Sequence, residues 1–418
     1  MSFRDFLDGL RDDGSLVEIR GPVSPLYQAA EMAMDNRPLL FHDLQGGRGA
    51  VNLLGTRSLL GRALRIPATE MAHRLSSVSY DGQTHLVNSS PFQEVVSPPD
   101  LKRLPILTHF RGDGGPYITS AVVVSRLGER INACVHRLMV AGPDRLAARL
   151  VPGRHTHQMY CAAIKAEEPI PVAIAIGVDP VVLIAASTRV PENLEFQYAA
   201  ALRGGPVELV ELENGVPVPH AEIVLEGYLT RERMAEGPFV DITGTMDLVR
   251  QEPVVQIVRM MCRENPIYQA LLPAGGEHKM LMGVPYEPLI YRAVSRVANV
   301  RNVLLTEGGC CYFHAVVQID KQSEEDGKRA IEAAFQAHGS LKHVLVVDSD
   351  IDIFDPADLE FAIATRMRGD EDLYIYPNVR GSTLDPRSVE GMTTKVGADA
   401  TARLDRLWKF KRVAKMSK

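Results

Sequence analysis

The runs SAVVVSR (Ser120–Arg126) and INACVHRLMV (Ile131–Val140) decide how this chain folds. Each is a strand-length block of β-branched and apolar residues. Similar blocks follow: VAIAIGV (Val172–Val178), VELVEL (Val207–Leu212) and AEIVLEGYL (Ala221–Leu229). Turns such as Ala141-Gly142-Pro143-Asp144 and Glu213-Asn214-Gly215 separate them. Many short strands punctuated by turn residues predict a closed or sandwiched sheet between Ile118 and Val240. Towards the C-terminus the pattern changes. A helical segment, Pro285 to Val297, precedes the apolar runs NVLLTEGG and CYFHAVVQI, a helix at Glu324 to His338, the strand HVLVVDSD and a helix from Pro356 to Arg366. That alternation predicts an α/β layer. The tail from Asp399 to Lys415, with Leu404, Leu407, Trp408 and Val413, predicts an amphipathic helix able to pack on a partner subunit. Towards the N-terminus, Phe3, Phe6, Leu7 and Leu10 form one helical stripe, and Leu39 to Asp43 reads as a strand before a Gly-rich turn at Gly46 to Gly49. The stretch from Ser90 to Pro105 has no period and contains Pro91, Pro98, Pro99 and Pro105, which marks it as a linker. The expected domains are therefore 1–105, 106–300 and 301–418.

Composition narrows the function. The 418 residues are 45% hydrophobic and 23% charged, enough apolar material for a substantial core. Lys plus Arg total 46 against 52 Asp plus Glu, a net charge of −6, which argues against a nucleic-acid binder. No apolar stretch approaches the ~18 residues of a membrane span. The first residues, MSFRDFLDGLRDDGSL, are charged and periodic, unlike a signal peptide. The five cysteines include no C-x-x-C pair, as expected of a reduced, cytoplasmic protein. The common phosphate-binding and zinc-protease motifs are missing. The run Asp348 to Asp352 begins like a calcium loop but has Ile353 and Leu359 at the positions that need Gly and Glu. It reads instead as a turn that closes a strand and caps the next helix.

Three clusters carry chemistry. In Asn132-Ala-Cys-Val-His-Arg137, strand alternation puts Asn132, Cys134 and His136 on one face and Arg137 on the other, unless a bulge intervenes. Read alone, Arg137 is equally a partly buried structural arginine. The second cluster is Arg154-His155-Thr-His157 with Glu195, a mixed nitrogen and oxygen set that suits Mn²⁺ or Mg²⁺ better than a soft metal. In the third, Glu236-Gly-Pro-Phe-Val-Asp241, a Gly-Pro turn brackets two carboxylates and can aim both into one cleft. Paired carboxylates, one with a raised pKa, are a general-acid arrangement, although a surface turn with two acids looks the same in sequence.

Taken in order, Asn132 to Arg137, His155, Glu195, Glu236 to Asp241 and Lys395-Val-Gly-Ala-Asp399 resemble the UbiD-type decarboxylases, which use prenylated flavin mononucleotide (prenylated FMN). Leu39 to Asp43, Leu202-Arg203-Gly204, Ala221 to Gly227, Asp348 to Asp355 and Ala364 to Arg366 extend the resemblance over most of the chain. It implies an N-terminal α/β portion, a central split β-barrel that binds the flavin, and a C-terminal α/β domain with a terminal oligomerisation helix. It further implies Asn132, His155 and Glu195 as ligands of Mn²⁺ or Mg²⁺ bridging to the cofactor phosphate, with K⁺ near Ala186 and Ser187. Asn132, Arg137, Ser187 and Lys395 would contact the cofactor, Lys395 through its phosphate. Arg137, Glu236 and Asp241 would form the catalytic network, with Asp241 as proton donor, and His136 stands where the family often has Tyr. His278 and Met282, one helical turn apart, would face the substrate.

The implied reaction is reversible, non-oxidative decarboxylation of an aromatic, heteroaromatic or α,β-unsaturated acid. Loss of CO₂ from an sp² carbon needs an electron sink that no side chain supplies, so the cofactor must supply it. The implied partners are the acid and CO₂, a second copy in a homodimer or larger homo-oligomer, and a prenyl-FMN synthase for cofactor supply. No nucleic acid or membrane is implied. The alternatives are a flavin- or metal-binding oxidoreductase, which would consume a reductant, and a UbiD-like subunit without decarboxylase chemistry.

Overall fold

The computed structural model describes residues 2–412. The chain forms two compact units, one of Met1–Arg65 with Val78–Leu281, the other of Ile66–Ser77 with Met282–Lys418. The fold is mixed α/β, as the sequence predicts.

The first unit is built on a nine-stranded sheet. Its main path runs Tyr117–Ile118, Leu138–Val140, Arg145–Ala148, Arg250–Cys262, Ile223–Glu236, Ile170–Ile176, Ala121–Leu127, Arg130–Val135, every neighbouring pair antiparallel. Ala121–Leu127 and Ile170–Ile176 are apolar almost throughout because both their faces are covered. Helix Pro180–Ser187 packs on Ala121–Leu127 and Arg130–Val135, and helix His155–Ala166 on Ala121–Leu127 and Ile170–Ile176. The pairing sets Val123 opposite Cys134 and Ser125 opposite Asn132, so the polar side chains of the first cluster emerge at one sheet edge. Leu138, Leu146, Ile174, Leu225, Ile257 and Tyr268 belong to one continuous core.

A smaller sheet pairs Val17–Val23, Leu39–Leu44, Gly47–Val51 and Ile267–Gln269. The N-terminal helix, Phe3–Asp12, buries the predicted stripe of Phe3, Phe6, Leu7 and Leu10. It starts in a capping box: Ser2 Oγ accepts from Asp5 N at 3.2 Å, and Ser2 N donates to Asp5 Oδ2 at 2.7 Å.

The expected linker at Ser90 to Pro105 is part of this unit. Val95–Ser97 adds to the edge of Arg250–Cys262, with Val95 opposite Cys262, and Phe92 and Leu101 are buried. The prolines flank a short edge strand, where their missing N–H groups cost nothing. The division into 1–105, 106–300 and 301–418 is correspondingly different from the division into two units, and a break falls at Leu281 instead of 300.

In the second unit a five-stranded sheet runs Val300–Leu305, His314–Ile319, His343–Asp348, Met392–Ala400, Leu373–Arg380. The three inner strands are parallel and the outer pairs antiparallel. Helices Asp326–Ala337 and Pro356–Arg366 connect them, as the strand–helix alternation predicts. Asp348 and Asp350 grip Arg366, and Asp355 caps the last helix by accepting from Ala357 N at 2.9 Å. The acidic run is thus a structural turn.

The predicted terminal helix does not form over the described residues. Asp399 and Ala400 end a strand, and Leu404–Lys409 is a 3₁₀ turn with Leu407 and Trp408 exposed. Residues 413–415 of that expectation lie outside the described residues. Among the described residues, no helix is long and apolar enough to cross a membrane.

Candidate active site

One strand ends at Val135 and another, with different partners, begins at Leu138, so alternation does not carry through His136 and Arg137. His136 turns back towards the sheet edge while Arg137 points elsewhere. Cys134 Sγ lies 3.0 Å from His136 Nε2 and 3.2 Å from Thr156 Oγ1, and His136 Nδ1 meets Arg149 O at 3.0 Å. Asn132 Nδ2 donates to Thr156 Oγ1 at 2.9 Å and to Cys134 Sγ at 3.1 Å. With its nitrogen so engaged, Asn132 turns Oδ1 towards His155 Nδ1, 3.2 Å away.

His155 and Glu195 each begin a helix, His155–Ala166 and Glu195–Arg203, so both leave a turn at a helix N-terminus. His155 Nδ1 is 4.0 Å from Glu195 Oε1. Burial, only partly opposed by N–H groups of Glu195 and Ala133, pushes the Glu195 carboxyl up to about 8. A buried carboxylate with no Lys or Arg ion-pair partner among the described residues, facing an imidazole nitrogen and an amide oxygen, fits a hard divalent cation. Among the described residues no three His, Cys, Asp or Glu side chains form a metal cluster by themselves. The set depends on its asparagine.

The second constellation gathers around Arg137. Its Nε donates to Glu236 Oε1 at 2.9 Å and its Nη2 to Glu236 Oε2 at 3.0 Å, a bidentate pair with Glu236 fully buried. Asp241 Oδ2 lies 3.7 Å from Nη1. The three residues are therefore brought together as expected. Tyr117 donates to Glu236 Oε1 at 3.0 Å, and burial together with the Glu236 charge pushes its phenol up. The Phe239 ring lies 4.7 Å from the guanidinium carbon and 4.6 Å from the Tyr117 ring, an aromatic floor under the charge. Gly114 is required here because a Cβ would stand 2.2 Å from Gly237 O, where the two turns touch.

Sequence reasoning missed Asp247, which accepts from Arg137 Nη2 at 2.9 Å and from Arg250 Nη1 at 2.6 Å. It also missed Tyr117 and Phe239 as neighbours of the arginine. Asp247 and Tyr117 carry no local signal, since strand pairing brings them to Arg137, whereas Phe239 lies inside the Glu236 to Asp241 motif.

His278 and Met282 lie one turn apart on helix Gly276–Gly283. His278 Nδ1 accepts from Ala274 N at 3.1 Å. Burial pushes its imidazole down while the nearby Asp241 charge pulls it up. Ser187 ends helix Pro180–Ser187 and donates to Leu183 O at 2.9 Å. In the second unit, Lys395 is buried, donates to Gly339 O at 2.7 Å and lies over the Phe335 ring. No carboxylate among the described residues pairs with it, and burial pushes its ammonium down.

Comparison with known proteins identifies the family. Three domains of 3-octaprenyl-4-hydroxybenzoate carboxy-lyase match in order: the N-terminal domain over residues 7–78, the Rift-related UbiD domain over 85–276 and the C-terminal domain over 279–400. An anhydromevalonate phosphate decarboxylase of Methanosarcina mazei is 58% identical over 405 residues, 96% of each chain. The Methanothermobacter thermautotrophicus protein of the same name is 46% identical over 433 residues, 99% of each chain. Among solved structures, the UbiD-class enzyme HmfF from Pelotomaculum thermopropionicum in complex with FMN superposes with a TM-score of 0.95 at 36% identity, covering 100% of this chain and 98% of that one. An evolved dimeric form of HmfF in complex with prFMN superposes with a TM-score of 0.91 at 35% identity, covering 99% and 97%. The chain carries the three domains in order and is 58% identical to a decarboxylase over nearly its whole length, and it belongs to the UbiD family as a decarboxylase.

Proposed function

We propose that the protein decarboxylates an α,β-unsaturated acid bearing a phosphate ester, using prenylated FMN and a divalent metal. The substrate class follows from the activity of relatives that span nearly the whole chain, since dehydration of a mevalonate phosphate gives an alkenoate. That activity sets aside the aromatic and heteroaromatic branches of the sequence expectation. The observation that carries the reading is the state of Arg137: Glu236 and Asp247 occupy its Nε and Nη2, and Nη1 has no hydrogen bond among the described residues.

Nη1 is therefore available to a substrate carboxylate, with Asp241 beside it. When bound, the prenylated flavin supplies the electron sink that accepts the bonding pair as CO₂ departs. Arg137 orients the carboxylate before it leaves. Asp241 then delivers a proton to the carbon that carried it, so carboxylate plus proton become alkene plus CO₂. Glu236, buried and doubly bonded to Arg137, keeps the guanidinium in place. Tyr117 and Phe239 keep water from its face. His278, with Lys279 next in sequence, supplies a polar edge suited to the phosphate end of the substrate, and Met282 the apolar contact one turn further on. Asn132, His155 and Glu195 would hold Mn²⁺ or Mg²⁺ against the cofactor phosphate. Lys395 is a buried cation without a carboxylate partner, which supports its use on that phosphate. Ser187 and K⁺ complete the cofactor set implied by the family motifs. Exposed Leu407 and Trp408 support a homodimer or larger homo-oligomer.

The test is CO₂ release by protein co-expressed with a prenyl-FMN synthase, in the presence of Mn²⁺ and without NAD(P)H. Anhydromevalonate phosphate should turn over, whereas its phosphate-free form and 3,4-dihydroxybenzoate should react far more slowly. Equal turnover with plain FMN, or a requirement for reductant, would refute the proposal.

A further inference from the structure

The turn after Glu236 continues into a two-stranded hairpin in which Phe239–Val240 pairs with Met246–Asp247, and Phe239 stands directly opposite Asp247. Asp241 begins the connecting turn, its N–H bonded to Thr245 O at 3.0 Å and its carbonyl accepting from Gly244 N at 2.8 Å. One strand of the hairpin thus lays an aromatic ring against Arg137, and the other brings a second carboxylate to it.

A guanidinium has five N–H donors. Glu236 takes one on Nε and one on Nη2, Asp247 takes the other on Nη2, and both donors on Nη1 are left. Asp247 Oδ2 also accepts from Arg250 Nη1 at 2.6 Å. Arg137 and Arg250 are therefore balanced by Glu236 and Asp247, and Asp241 is a third carboxylate beside two cations. The other groups facing it are His278, with Lys279 behind it, and the Tyr117 phenol on Glu236.

We infer that Asp247 is a positioning residue for proton delivery: it fixes the plane of Arg137 so that Nη1 faces Asp241. The inference rests on the proposed decarboxylation for its consequence in turnover, but not for its effect on how Arg137 is held. Burial of Asp247 disfavours its ionised form, yet Arg250 and Arg137 prevail and hold it at about 2, so the charge is present wherever the enzyme works.

Asp247→Asn keeps an acceptor for Nη2 and deletes the charge, whereas Asp247→Ala deletes both. In the cofactor-loaded enzyme Asp247→Asn should keep most of kcat, whereas Asp247→Ala should lose a factor of about ten in kcat with KM little changed, as expected for a misoriented Arg137. In the full-length chain with ¹⁵N-labelled arginine, and Arg137→Lys as assignment control, the Arg137 Nε–H signal should hold its position in Asp247→Asn and shift in Asp247→Ala. A merely structural Asp247 would lower thermal stability in the variants and leave kcat and the Arg137 signal where they were, and that result overturns the inference. If the Arg137 signal shifts but no acid releases CO₂, the proposed function fails while the role of Asp247 stands. Should Asp247→Ala not fold, Asp247→Ser, too short to reach Nη2, takes its place.

Discussion

Asn132 lies in a strand and Arg137 in the break just after it, yet the clusters built on them are electrostatic opposites. Around Asn132 a buried carboxylate, Glu195, faces an amide oxygen and an imidazole with no Lys or Arg among its partners. Around Arg137 two guanidiniums and three carboxylates lie within 4 Å of one another in a connected chain. On the proposed reading, the first cluster takes its cation from outside the chain. The second is complete, and only the balance among its members is adjustable. Substitutions in the first should therefore change what binds, and substitutions in the second should change what reacts.

The largest effects are expected at the complete cluster. Asp241→Asn preserves size and an acceptor but cannot donate a carboxylic proton. General acid catalysis is worth about 10²–10⁴-fold, so CO₂ release should fall at least a hundredfold while retained flavin, read by absorbance, is unchanged. Arg137→Ala should abolish turnover and also unfold more easily. Stranding buried Glu236 without its partner costs roughly 3–5 kcal/mol, readable as a lower denaturant midpoint. A fully active Asp241→Asn would remove Asp241 as the acid and collapse the contrast.

At the incomplete cluster the order reverses. Glu195→Gln should weaken Mn²⁺ binding to the flavin-free protein by at least the roughly 10–100-fold that loss of an outer-shell partner costs, measured by titration calorimetry. Flavin retention should fall with it, and thermal stability without metal should not, because no cation loses its counter-ion. Unchanged Mn²⁺ affinity in both Glu195→Gln and His155→Ala would show that the set is not a metal site.

How far this contrast was legible in the sequence differs between the clusters. Asn132, His155, Glu195, Arg137, Glu236 and Asp241 stand in ordered motifs, and local rules place them at a strand end, at two helix starts and in a Gly-Pro turn. Asp247 follows Asp241 by six residues in a stretch with no motif and reaches Arg137 only because the hairpin returns it opposite Phe239. Cross-strand partners are set by register, which short strands of two residues do not reveal. The helix stripe at Phe3 to Leu10 and the C-terminal strand–helix alternation were readable because their periods are long enough to count. The Ser90 to Pro105 stretch misled because an edge strand tolerates prolines beside it. The tail misled because Asp399 and Ala400 finish a strand paired on both sides, and tertiary pairing overrides a local helical period.

A smaller effect is expected at the substrate end. His278→Ile removes a polar edge near Asp241 without touching the Arg137 pairs. Preference for the phosphorylated alkenoate over its phosphate-free form should fall about tenfold, the value of one lost hydrogen bond to a charged group. Exchange of deuterium into product, which depends on Asp241, should persist. An unchanged ratio of kcat/KM values would remove His278 from the substrate site.

The last test, of stability and not of turnover, comes from a third carboxylate that serves as a control for Glu195. Glu277 is fully buried, and burial pushes it up to about 8 although it accepts from backbone N–H groups, including Leu54 N at 3.1 Å. Its second oxygen has no partner among the described residues. Between its ordinary value of 4.5 and about 8, the native protein holds a proton that the unfolded chain releases. Stability must then fall as pH rises through that window, by about 1.4 kcal/mol per pH unit for one proton. Glu277→Gln keeps the acceptor for Leu54 and, like the protonated acid, presents a donor at the other position. The variant and wild type should be equally stable near pH 5, and the variant should gain steadily towards pH 8, followed by urea midpoints at each pH. Mn²⁺ should stabilise both proteins equally, because Glu277 already has its partners in the backbone. A difference that does not vary with pH would show that Glu277 is ionised in the native state, and a Mn²⁺ response lost in Glu277→Gln would move the cation site away from Glu195.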